Sequence, residues 1–215
     1  EIGAMNSVFN QTIEKIEQLI KQVVEMETVN KDIEFQALQA QINPHFLFNS
    51  LNTLISEIGY NPENAILFTQ NLSDVYRYIL QCQQQRLVTL GSELEFLDSY
   101  VFLHRVRLGD CITVDCRLDE SLLEYRLPPL TLQLLAENVI KHNIISLRQP
   151  MVLSLSSEDE NWLVVSNSVR PKKSVQPSGM GLKNLASRYR LVCGQEIIIE
   201  KTTELFTVKI PLLYE

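Results

Sequence analysis

The chain has 215 residues, 45% of them hydrophobic and 21% charged, with a formal net charge of -7. That composition is long and apolar enough for one or two compact domains, and it excludes a disordered chain. The acidic balance argues against nucleic-acid binding, which needs clustered Lys and Arg to displace counterions.

The four cysteines, Cys82, Cys111, Cys116 and Cys193, form no CxxC pair and share no ligand spacing with a histidine, so a reduced, cytoplasmic compartment is expected. No apolar run approaches the roughly 20 residues that a membrane helix needs. Glu1 is not an initiator methionine, and an excised part of a longer protein is expected, with any membrane-embedded sensor upstream.

From Phe9 to about Phe35 there is no proline, and Phe9, Ile13, Ile16, Ile20 and Val23 follow the alternating four-three spacing of a coiled-coil seam. A stripe this narrow suits a partner helix better than a globular core. After Val23 the phase slips, and Met26, Ile33, Ala37 and Ala40 carry the stripe on.

The next stretch, Gln41-Ile42-Asn43-Pro44-His45-Phe46-Leu47-Phe48-Asn49-Ser50-Leu51-Asn52, opens a helix. Pro44 suits a first helical position, or else kinks a longer helix. On a helical wheel His45 shares a polar stripe with Asn49, Asn52 and Ser56, while Leu47, Leu51, Leu54, Ile55 and Ile58 make an apolar side expected to face a core. Asn61-Pro62 then predicts a cap and first turn of a second helix with the seam Ala65, Phe68, Leu72, Val75, Tyr76 and Ile79. The two can pair as a hairpin. Ser92-Glu93-Leu94-Glu95 has the form of a capping box for a third helix, which Gly109 closes.

The second half changes period. Strands are expected at Ile112–Leu118, Met151–Leu155, Leu163–Val165, Glu196–Ile199 and Phe206–Ile210. Helices are expected after Pro128-Pro129 and over Leu182–Cys193. Strand, helix, two strands, helix, two strands favours a mixed sheet with helices on one face, a two-layer sandwich.

Two segments of this half can carry chemistry. In the helix after Pro129, Leu132, Leu135, Ala136 and Val139 form the core stripe, and Glu137, Asn138, Lys141 and His142 line the stripe beside it. Oxygen donors beside a cation suit Mg²⁺ and a polyphosphate; an ordinary solvated helix face is the alternative. Ser178-Gly179-Met180-Gly181-Leu182 leads into a helix, where glycines let backbone N–H groups approach phosphate. A tight turn is the alternative there.

The string around His45 resembles the phosphoacceptor segment of the LytS/YehU-type sensor histidine kinases, whose histidine is the one phosphorylated. Leu72-Ser73-Asp74-Val75-Tyr76-Arg77-Tyr78 and Val88-x-Leu90-x-x-Glu93-Leu94 are similar to segments that follow it in that family. The stretch from Pro128 to His142 resembles the family's N box, and Ser178 to Asn184 its G2 box. The resemblance implies an α+β chain: a coiled-coil or linker helix over 1–34, dimerisation and phosphotransfer helices over 35–108, and an ATP-binding sandwich of the histidine kinase ATPase type over 109–215.

It further implies ATP and Mg²⁺ as ligands, with Asn138, supported by Glu137, on the metal. Lys141, His142, Gly179, Gly181 and Asn184 are implied as nucleotide contacts. Autophosphorylation at His45, transfer to an aspartate of a response regulator, and a homodimer follow from the same resemblance, as does a cytoplasmic portion anchored at an inner membrane through segments upstream. One departure stands out: where these kinases carry Asp-x-Gly-x-Gly before the lid, this chain reads Ser166-Asn167-Ser168-Val169. Ser166 or Asn167 is left to meet the adenine, without a carboxylate. Phe46, not an acidic residue, follows His45, and Asn49, one turn on, is the residue expected to orient the imidazole. The competing expectation is a catalytically weak dimeric scaffold that keeps the fold and transmits helix movement.

Overall fold

The computed structural model describes residues 44–82, 85–159, 161–172 and 180–214. The expected coiled-coil helix over 9–35 and the nucleotide contact at Gly179 fall outside them. Two units are distinguished, 1–45 and 46–215. Of the first, Pro44 and His45 are described, both exposed in the first turn of α1 (Pro44–Tyr60).

Pro44 occupies the opening position of α1, where a missing N–H costs nothing. The buried side of α1 is set by Phe46 and Ser50, with the Ser50 hydroxyl donating back to the Phe46 carbonyl at 2.8 Å. Leu51, Ile55 and Ile58, expected on the core side, are instead 43%, 70% and 59% exposed. The helix can turn only one side to its own chain, and the aromatic seat for Phe46 selects the other one.

Asn61 caps α2 (Pro62–Gln81), its side chain accepting from the Asn64 amide at 3.2 Å. Ala65, Phe68, Leu72, Val75 and Ile79 then bury at helical spacing, as the seam predicts. A two-residue strand β1 (Val88–Thr89) leads into α3 (Leu90–Leu108). The start of α3 differs from the expected capping box: Thr89 is the cap, accepting from the Ser92 amide at 3.3 Å, and Ser92 Oγ donates to the Thr89 carbonyl at 2.8 Å. Glu93 is drawn into the interior instead of reaching back to its own helix start. Gly109, at φ 78°, ends α3 in a conformation that side chains with a Cβ resist.

The sheet half begins with β2 (Ile112–Arg117), followed by a 3₁₀ turn (Glu120–Glu124) and β3 (Arg126–Leu127), which pairs antiparallel with β1. Next come α4 (Thr131–His142), β4 (Met151–Glu158), β5 (Trp162–Ser168), α5 (Met180–Cys193), β6 (Ile198–Lys201) and β7 (Leu205–Pro211). The five-stranded sheet has the order β2-β4-β5-β7-β6. Only β2 and β4 run parallel, with Ile112 opposite Met151; the other pairs are antiparallel, with Leu155 opposite Val165 and Val165 opposite Val208.

Alternate residues Met151, Leu153 and Leu155, then Leu163 and Val165, then Val208 and Ile210, are buried. They share one core with Leu97, Leu132, Leu135, Val139, Leu185 and Tyr189 of the helices. The expected α+β class and two-layer sandwich are therefore present: one face of the sheet is covered by helices and the other is wetter, as period-two patterning requires. The same core takes in Val75 and Ile79 of α2, so α3 is packed on both sides.

Candidate functional site

The site is built on α4, and its first turn is unusual. Leu130, before the helix, takes the left-handed conformation at φ 61° and offers no side-chain cap. The first amide donors are satisfied from α3: the Leu130 N–H donates to Glu93 Oε1 at 2.6 Å and the Leu132 N–H to Glu93 Oε2 at 2.9 Å. An anion at a helix N-terminus meets both the orphan N–H groups and the helix dipole. Burial, partly offset by these bonds, raises the Glu93 carboxyl above its ordinary value.

Downstream, Leu132, Leu135, Ala136 and Val139 are buried, leaving Glu137, Asn138, Lys141 and His142 toward solvent. These four line a cleft of about 180 Å³ with Leu134 of the same helix and Gly181 and Leu182 of α5. Thus two segments nearly forty residues apart in sequence, both singled out there, meet across one opening. A Cβ at Gly181 would stand 3.7 Å from Leu134 Cδ2, so any side chain at 181 would take up part of the space between α4 and α5.

Electropositive groups gather at the far end of α4. The His142 imidazole is held below its ordinary pKa, first by burial and then by Lys141, Lys172 and Lys201. Lys172 donates from Nζ to the Ile140 carbonyl at 2.7 Å, and its backbone N–H donates to the His142 carbonyl at 3.0 Å. Asn143 completes the stitching: it donates to the Val139 carbonyl at 3.1 Å and accepts from the Arg170 amide at 2.8 Å. The segment after β5 is thereby tied to the end of α4. Neither Asn143 nor Lys172 was singled out in the sequence. Each acts through backbone groups that only the fold brings near.

Beside the cleft, α3 approaches the Gln133–Glu137 stripe of α4. Tyr100, buried, has its hydroxyl pushed up by burial and by the charge of Glu137. It also stacks on Phe46 at 5.3 Å between ring centroids and meets His104 edge-on at 4.7 Å. The residue that follows His45 is therefore seated on the helix that flanks Glu137.

The remaining expected residues divide. Asn167 shares the helix-facing side of β5 with Leu163 and Val165, and its amide donates to the Ser168 carbonyl at 2.7 Å. Ser166 falls on the opposite face by strand alternation, which removes it from the helix layer. Asn184 is exposed on α5 and does not line the cleft. His45 and Asn49 stand four residues apart on α1, Asn49 half-buried.

Asn138 and Glu137 supply an amide oxygen and a carboxylate, hard donors of the kind Mg²⁺ takes, on the same stripe. Among the described residues no group of three or more His, Cys, Asp and Glu is placed to cage a metal. Two protein oxygen donors leave most of the shell of a hard cation to other oxygens, which suits Mg²⁺.

Comparison with known proteins finds similarity to sensor kinases. The family model described as histidine kinase matches residues 33–112. Sensor protein LytS of Staphylococcus haemolyticus is 35% identical over 131 residues, 61% of this chain and 22% of its own length. Sensor protein LytS of Bacillus subtilis is 30% identical over 190 residues, 81% of this chain and 32% of its own. Sensor histidine kinase YpdA of Escherichia coli is 32% identical over 188 residues, 81% of this chain and 33% of its own. The chain thus spans about a fifth to a third of the length of these relatives. The motif at His45, the cleft between α4 and α5 and these relatives together make the chain similar to the LytS-type sensor histidine kinases.

Proposed function

We propose that this chain is the catalytic and phosphoacceptor portion of a sensor histidine kinase that transfers the γ-phosphoryl group of ATP to His45. Functionally it divides into a linker helix (1–34), dimerisation and phosphotransfer helices (35–108) and an ATP-binding domain (109–215). The observation that carries the reading is the cleft in which Glu137, Asn138, Lys141 and His142 face Gly181 and Leu182.

Lys141, His142 and the nearby Lys172 offer positive charge to the phosphates, and the backbone at Gly181 admits their close approach. Asn138, with Glu137, holds Mg²⁺, which when bound neutralises charge on the transferring phosphoryl group. Asn49 orients the imidazole of His45. A nitrogen of that ring forms the N–P bond as the bond to the bridging β,γ oxygen breaks, and ADP leaves. The phosphoramidate then passes its phosphoryl group to a carboxylate of a response-regulator aspartate.

The acting species is a homodimer. Support comes from the exposed Phe48, Leu51, Ile55 and Ile58 of α1 with Ile66 and Leu67 of α2, apolar surface that a single chain leaves in water. Among the described residues no helix is long and apolar enough to cross a membrane; the anchor at the inner membrane is assigned to segments upstream, and this portion to the cytoplasm.

A weakly catalytic dimeric scaffold is favoured by one observation, the spent amide of Asn167 where an adenine-binding carboxylate is the rule in this family. The deciding experiment is ³²P transfer from γ-labelled ATP to the wild-type chain and to His45→Gln. Alkali-stable, acid-labile label confined to the wild type supports the kinase. Label that survives His45→Gln refutes the acceptor, and no label together with no ATP binding at millimolar nucleotide leaves the scaffold.

A further inference from the structure

Glu93 is 0% exposed, yet its carboxylate has three donors from two parts of the chain. Two are the amides of Leu130 and Leu132 at the start of α4. The third is the hydroxyl of Tyr78, in the last turn of α2, at 2.8 Å. The Tyr78 ring is fixed independently by stacking on Phe96 of α3, centroids 4.5 Å apart. Arg188 of α5 adds its charge to the same neighbourhood and donates to the Pro129 carbonyl at 2.7 Å. One buried carboxylate thus joins α2, the entry to α4 and, through Arg188, the helix that carries Gly181.

We propose that Glu93 is a positioning residue that couples α2 to the cleft: with Tyr78 holding one oxygen, its carboxylate sets where the first turn of α4 begins and hence where Glu137 and Asn138 stand. Leu130 offers no cap of its own, so no local group competes for that role. Leu132 and Asn138 are six residues apart, about 9 Å along a helix that behaves as a rod over such a length. A displacement at the first turn is therefore delivered to the cleft. α2 is also the helix whose exposed Ile66 and Leu67 meet a second chain in the proposed dimer, so movement there reaches Tyr78 through the helix itself.

The inference rests on reading the cleft as a nucleotide site, and the test separates the two. Hydrogen exchange is measured on the full chain without nucleotide for wild type, Tyr78→Phe, Glu93→Gln and the double variant, followed by ATP titration with Mg²⁺. Tyr78→Phe keeps the stacked ring and removes one hydroxyl. Exchange across 130–138 is expected to rise about tenfold, the scale of one hydrogen bond to an ionised group, with β4, β5 and β7 unchanged. Glu93→Gln should exceed that, because an amide cannot accept from all three donors, and the double variant should be no worse than Glu93→Gln alone. ATP affinity should fall at least threefold in Tyr78→Phe, whose side chain does not line the cleft.

Unaltered exchange in 130–138, an equal rise in the strands, or additive effects in the double variant would overturn the coupling. Should Glu93→Gln not fold, Tyr78→Phe decides alone. Wild-type protein that binds no ATP overturns the reading of the cleft, while the exchange data still judge the joint.

Discussion

Acid is expected to loosen the seat of Phe46 through His104. This imidazole is 5% exposed, lies 5.7 Å from the Phe46 ring and 4.7 Å from Tyr100, and has Nδ1 at 3.1 Å from Arg107 Nη2. Burial first, and the Arg107 charge second, pull its pKa from 6.5 down to about 3. The folded state therefore favours the neutral ring, while the unfolded chain takes up its proton near 6.5. The stability it contributes is complete above pH 6.5 and is lost progressively as pH falls toward 3. Between the unfolded value and pH 5 lie about 1.5 units, or roughly 2 kcal/mol at about 1.4 kcal/mol per unit.

The measurement is urea unfolding at pH 7 and pH 5 for wild type and His104→Gln, which keeps an acceptor for Arg107 but does not titrate. Glu93, whose raised pKa works in the opposite direction, is present in both proteins and cancels in the comparison. Wild type should lose about 2 kcal/mol more than the variant over this interval. A difference below about 0.5 kcal/mol would mean that His104 is protonated in the fold, and the argument from burial would fail.

Asn138→Ala should leave the helix intact, since the side chain faces the cleft, and abolish the Mg²⁺ dependence of ATP binding in calorimetry; retained metal dependence would move the metal to Glu137. Light scattering should give twice the 24.7 kDa chain mass for wild type and a shift toward monomer for Ile55→Asp, which places a charge in the exposed apolar stripe of α1. Gly109→Ala should lower stability by about 1 to 3 kcal/mol in denaturant unfolding, because φ 78° is unfavourable for a residue with a Cβ although the Leu147 side chain, 3.5 Å from that Cβ, leaves room for it. An unchanged midpoint would show that the turn relaxes.

Local chemistry was legible wherever the determinant and its consequence are neighbours in the chain. Asn61 before Pro62 and Gly109 after Leu108 mark helix ends because capping and positive φ involve only a few adjacent residues. Alternation in Met151–Leu155 and Leu163–Val165 announced strands of a half-covered sheet for the same reason. The motifs at His45, at Glu137 to His142 and at Gly181 were readable as strings, and the last two proved to line one cleft.

What the tertiary structure decided are the phases and partners that periodicity leaves open. A period of 3.6 fixes a stripe on α1 but not which stripe is covered; the stacking of Phe46 on Tyr100 chose, and left Leu51, Ile55 and Ile58 exposed. A period of two places Ser166 and Asn167 on opposite faces but does not say which meets the helices, and packing put Asn167 there. Glu93 had the local form of a capping residue for its own helix. It caps α4 instead, 37 and 39 positions away, because Thr89 had already satisfied the start of α3 and the uncapped turn at Leu130 supplied the stronger demand for a buried anion. Sequence determines which groups are able to bond; only the folded packing determines which of them remain unsatisfied and so claim a distant partner.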